Sequence, residues 1–177
     1  MSACYSWLAV SGLPSSDALS LLRLETTGEV ISDRHVEFSV TELGDGTRLF
    51  LSQHFEFADH TPLAELSEGG EVTTCCVIEK MMYSSVSRWS HGKRDWYFVH
   101  DGGLGIQHMH TEGEAPPEFH PIANRLMVAQ AEGEGIAISV DHVFEVAPEV
   151  AKALTGFHFD SENISEFQFQ KLAKLES

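Results

Sequence analysis

At 177 residues, 42% hydrophobic and 21% charged, the chain has the apolar mass for one domain with a packed core, and chains of this size bury about two thirds of their unfolded surface; this composition excludes intrinsic disorder. The 27 Asp and Glu against 11 Lys and Arg leave a formal charge of −16, spread along the chain without a basic patch, which excludes a nucleic-acid-binding face. No stretch has the apolar length of a membrane span, residues Met1 to Tyr5 lack the pattern of a secretory signal, and the three cysteines form no paired spacing, so the expectation is a cytoplasmic protein in a reducing compartment.

Residues 5–11 are apolar at both alternating sets, as in a central strand buried on two faces. A helix follows, capped by Ser15 or Ser16, with Asp17 at its positive end, Ala18, Leu19, Leu21 and Leu22 on its apolar side, and Arg23 at its negative end. Segments 36–43 and 48–55 read as a hairpin around Asp45-Gly46. A two-residue turn there sets Val40 opposite Leu51, placing Phe38, Val40, Leu49 and Leu51 on a dry face and Glu37, Ser39, Thr41, Phe50, Ser52 and His54 on a mostly wet one. Thr61-Pro62 and Gly69-Gly70 bracket a short helix, and Val72 to Met82 is a second central strand.

His91-Gly92 and Gly102-Gly103 then make a three-stranded meander in which Arg88, Asp95 and His110 form one row and Val86, Tyr97 and His108 the next. Tyr83, Ser85, Ser87, Trp89, Trp96, Phe98, His100, Gln107 and Met109 fall on the other, core-facing side. Pro121 to Gly133 reads as a helix, Ile136 to Val146 as a half-buried strand with His142 on its apolar side, and Pro148 to Gly156 as a last short helix. Residues 161–177 are set apart as a tail whose Ile164, Phe167, Leu172 and Leu175 suit a docked helix. The expected fold is a single α+β domain over residues 1–160, with a largely antiparallel sheet, short helices mainly on one face, and a ferredoxin-like βαββαβ order in residues 5–82.

The chemistry the sequence offers lies on the meander. Arg88, Asp95, Tyr97, His108 and His110 come within reach of one another, a carboxylate beside an imidazole can orient a general base, and an arginine can hold an anion. The competing reading is a solvated sheet face with a cross-strand ion pair, and that is the favoured one. His108, His110 and Asp95 are the candidate metal ligands, but His100 points to the opposite face and no cysteine or histidine spacing matches a zinc pattern, so no metal and no cofactor are expected. Cys75 and Cys76 are adjacent on a strand and read as buried structural cysteines.

Tyr5-Ser-Trp-Leu-Ala-Val-Ser-Gly12, Glu79-Lys-Met-Met-Tyr-Ser-Ser85, the Trp96–Asp101 segment and Ala151-Lys-Ala-Leu-Thr-Gly156 resemble a family of uncharacterised bacterial proteins of similar length. The resemblance implies a bacterial origin and a single domain, and it carries no activity, cofactor or site residue. The expected function is therefore a non-enzymatic binding protein, of the kind that inhibits a basic partner as an immunity protein does. The alternative is a small hydrolase or lyase acting on a small anionic substrate at the Arg88, Asp95, Tyr97, His108 and His110 face.

Overall fold

The computed structural model describes residues 4–32, 36–133, 140–159 and 166–176. Its strands are β1 (Cys4–Ser11), β2 (Leu24–Ile31), β3 (Phe38–Glu42), β4 (Arg48–Ser52), β5 (Glu71–Ile78), β6 (Tyr83–Ser90), β7 (Lys93–Asp101), β8 (His110–Gly113) and β9 (Phe169–Lys174). The helices are α1 (Ser15–Leu22), α2 (Leu63–Ser67), α3 (Phe119–Gly133) and α4 (Val146–Thr155). All nine strands join one sheet in the order β2-β9-β3-β4-β1-β5-β6-β7-β8, with every neighbouring pair antiparallel.

The single antiparallel α+β domain is as expected, but the helices are not mainly on one face. On the first face α3 and α4 cover Trp7, Leu49, Leu51, Cys75, Val86, Trp96 and Phe98. On the second, α1 and α2 cover Leu8, Val10, Phe50, Val72, Phe38 and Val40. A sheet covered on both sides needs apolar residues at odd and even positions alike, which is why β1 is buried from Tyr5 to Val10 without a break. The ferredoxin-like βαββαβ order of residues 5–82 is not shown: a further strand, β2, stands between α1 and the β3–β4 hairpin.

Two further expectations are corrected. The tail is no helix from Phe169 on: β9 slots between β2 and β3, and its Phe169 and Leu172 enter the first and second cores respectively. Three-residue spacing looks helical in sequence, yet on a strand it sends two side chains to opposite faces, and here both faces are covered. Of the strand expected from Ile136 to Val146, residues 136–139 lie outside the described residues; Val143–Glu145 is a 3-10 turn running into α4, and the backbone N–H of His142 donates to Gln130 Oε1 at 2.7 Å.

The turns explain the registers. At Asp45-Gly46 the loop has three residues, with Leu43 N–H on Thr47 O at 2.8 Å and Gly46 at φ +85°, so Val40 faces Phe50 and not Leu51. Consequently Phe38 and Val40 share a face with Phe50, Ser39 and Thr41 with Leu49 and Leu51, and neither face is wet. The His91-Gly92 turn is the two-residue one expected, with φ of +51° and +73° and Ser90 opposite Lys93. One step beyond it, however, Trp89 faces Arg94 while Arg88 faces Trp96, so Asp95 is a bulge residue.

Candidate functional site

That one extra residue decides the fate of the predicted cluster. Beyond the bulge every β7 side chain is shifted by one against β6, so Arg88 lies on the first face, where its guanidinium pairs with Glu71 at 2.8 Å. Asp95 is exposed, and its carbonyl accepts the Glu114 N–H at 3.1 Å. Gly102-Gly103 is not a two-residue turn: residues 102–109 form a string of turns, opened by the Gly102 N–H on Met82 O at 2.9 Å, and β8 pairs four residues later than expected, Tyr97 with Glu112 and Val99 with His110. His108 therefore sits in the connecting loop, its Nδ1 accepting the Asp101 N–H at 3.0 Å. Of the five candidates only Tyr97 and His110 share a face, the second. Among the described residues no group of three His, Cys, Asp or Glu could hold a metal, and His108, His110 and Asp95 do not converge.

The core-facing assignment of Trp96, Phe98 and His100 holds, but their β6 companions are Ser84, Val86 and Arg88 and not Tyr83, Ser85, Ser87 and Trp89. His100 is fully buried. Its Nδ1–H donates to His108 O at 2.7 Å, and its Nε2 lies 2.9 Å from Asp141 Oδ2, a carboxylate that also accepts the Phe144 N–H at 3.1 Å. This pair ties the 102–109 loop to the start of α4. Its ring reaches no solvent and its two nitrogens are both occupied, so it is a strut and not a general base.

What the second face gains is a polar array. Tyr83 and Tyr97 hydrogen-bond through their hydroxyls, Tyr83 also bonds to Ser85, and Ser85 in turn bonds to Cys76. Arg94 lies 4.8 Å over the Tyr97 ring and pairs with Glu112, which also takes the His110 ring at 3.0 Å. The hydrogen bond from the His110 ring and the Arg94 guanidinium hold the Glu112 carboxyl below its ordinary value. Burial pushes both phenols and the Cys76 thiol upward, and pushes Cys75 well up. Neutral phenols, a protonated thiol and a paired histidine supply hydrogen bonds but no activated nucleophile. A disulfide-exchange reagent at mild alkaline pH should accordingly titrate one thiol rapidly, that of exposed Cys4, and three after unfolding; rapid reaction of a second thiol in the folded protein would contradict this burial.

A site that sequence reasoning missed lies between α1 and α2 on the same face. Leu13, Asp17, Ser20, Leu21, Glu65, Glu68 and Gly69 line an open cleft of about 650 Å³. Two glycine contacts bring its walls together: Gly12, at φ +75°, lies against Gly69 and Gly70, and a β-carbon at Gly12 would stand 2.8 Å from Gly69 O. The visible signals were Asp17 in a first turn and a Glu-x-x-Glu on the following helix, but only the packing of α1 beside α2 joins them. No helix among the described residues is long and apolar enough to cross a membrane. Comparison with protein-family models, with curated proteins and with solved structures finds no match to this chain.

Proposed function

We propose that the protein is a non-enzymatic, cytoplasmic binding protein that engages a basic protein partner, in the manner of an immunity-type inhibitor, through the cleft between α1 and α2. The observation that carries the reading is the lining of that cleft: Asp17, Glu65 and Glu68 around Leu13 and Leu21, with no basic residue. A lysine or arginine from a partner brings an aliphatic stem for the leucines and a cationic head for the carboxylates. Elsewhere six of the 11 Lys and Arg are already neutralised within the protein, as Arg48, Arg88, Arg94, Arg125, Lys171 and Lys174 each pair with a glutamate. The charge of −16 adds long-range attraction for a basic surface and speeds encounter at low salt. The hydrolase or lyase alternative loses its premise with the dispersal of Arg88, Asp95 and His108 away from Tyr97 and His110.

The test is capture from a bacterial extract on immobilised protein, comparing the wild type with the triple variant Asp17→Asn, Glu65→Gln, Glu68→Gln. The wild type should retain a basic protein at about 0.05 M salt and release it by about 0.5 M, where the screening length is only a few ångströms. The triple variant should retain less than about a tenth as much while melting at the same temperature. Retention of the same protein by both, or a retained protein indifferent to salt, would discard the reading.

A further inference from the structure

Across α1 from the acidic cleft, the same face holds a second cavity, of about 600 Å³, between the end of α1, the segment after β4, and the end of β9. Its apolar wall is Leu24, Phe38 and Phe57; Phe38 is buried and meets Phe57 edge-on with ring centroids 5.3 Å apart. Its polar wall gathers Arg23, His54, His60 and Lys174. With 11 Lys and Arg against 27 acids in the whole chain, an arginine, a lysine and two imidazoles meeting around one aromatic-walled cavity run against the overall charge. Three of the four are partly committed, since Glu37 Oε1 takes Lys174 Nζ at 3.0 Å and His54 Nε2 at 3.3 Å, and His60 stands 3.8 Å from Glu56. Arg23 forms no ion pair with any described residue.

The backbone at Arg23 is a second, independent observation. It closes α1 in the left-handed region, at φ 55°, a position where glycine is the unstrained choice. A long cationic side chain kept at such a position is a strained feature whose explanation is sought in function. The strained residue is also held firmly, with its N–H on Ser20 O at 3.1 Å and its carbonyl accepting the Leu175 N–H at 2.9 Å. The guanidinium is thus carried at the cavity rim by a fixed backbone.

We infer that this cavity binds a small aryl monocarboxylate, with its ring against Phe38 and Phe57 and its carboxylate on Arg23. Lys174 Nζ, 5.2 Å from the Phe38 ring centroid, is the second cation at the ligand. A planar carboxylate matches the two-pronged guanidinium, and the aromatic wall suits an edge-to-face ring. Glu56 in the lining, and Glu37 behind it on His54 and Lys174, oppose any further negative charge, which favours a monoanion over a polyphosphate.

Titration calorimetry on the full chain tests this with 2-naphthoate and its neutral isostere 2-naphthamide. The acid should bind and the amide bind at least about tenfold more weakly; Arg23→Gln should weaken the acid about tenfold, Arg23→Lys less, with both variants melting as the wild type does. The triple variant in the acidic cleft should bind the acid unchanged, so this site stands or falls apart from the proposed partner. Equal affinity for acid and amide, no heat with the acid up to millimolar concentration, or full affinity in a folded Arg23→Gln protein would each overturn the inference.

Discussion

Alanine in place of His100 is expected to cost about 3–5 kcal/mol, because it strands the Asp141 carboxylate in a site where its side chain is only 8% exposed. In a domain of this size such a loss lowers the melting temperature by roughly 10 °C. Asp141→Asn should cost far less, about 1 kcal/mol. The reason is the donor and acceptor count. With Nδ1–H committed to His108 O, Nε2 facing a carboxylate requires a proton between the two, whereas an asparagine amide donates to a bare Nε2 and its oxygen still accepts the Phe144 N–H. Urea titrations of the two variants decide the matter. Equal losses, or a mild His100→Ala, would mean that the pair does not bridge the loop and α4 as described.

A methyl group at Gly70 should be nearly as damaging, although the same change one residue earlier should be harmless. A β-carbon on Gly70 would stand 1.8 Å from Ser11 O, at the end of the β1–β5 pairing where Ser11 faces Glu71. Neither partner is a side chain that can swing away, so strands must part, and the expected cost is about 3 kcal/mol, at the top of the usual overpacking range. At Gly69 the nearest atoms to an added β-carbon are 3.8 Å and 3.9 Å away, so Gly69→Ala should shift stability by about 0.5 kcal/mol or less, in the stabilising direction if at all. Thermal melts of both variants side by side test the contrast, and a tolerated Gly70→Ala would show that β1 and β5 do not approach as closely as stated.

The elements that could be read from sequence were those whose local chemistry matches their final setting. β1 and β5 announce themselves as unbroken apolar runs, and α3 by its apolar spacing closed at Gly133. β2 could not be seen: it is an edge strand exposed from Glu25 to Val30, so no burial pattern marks it. The β3–β4 register slipped because Leu49, Phe50 and Leu51 are all buried, and a strand that is dry on both sides does not specify which neighbour each residue faces. The polar cluster failed at a finer level. A turn dipeptide fixes pairing only as far as the first bulge, and Asp95, proposed as the hub of the cluster, is itself the inserted residue. Both cavities arise where α1 meets segments distant in sequence, and no spacing along the chain encodes that.

Insertion of β9 between β2 and β3 has a kinetic consequence. Thr41 hydrogen-bonds to Gln168 at 3.0 Å, and Thr27 to Lys171 at the same distance, so contacts separated by 127 and 144 positions close this sector of the sheet. Until residues 169–174 have been synthesised, β3 has an open side and β2 has nothing to join. Pairings of such range make for slow folding and leave unpaired strand edges exposed while they wait. The nascent chain should therefore depend on chaperones, and its refolding should be slow and concentration-sensitive.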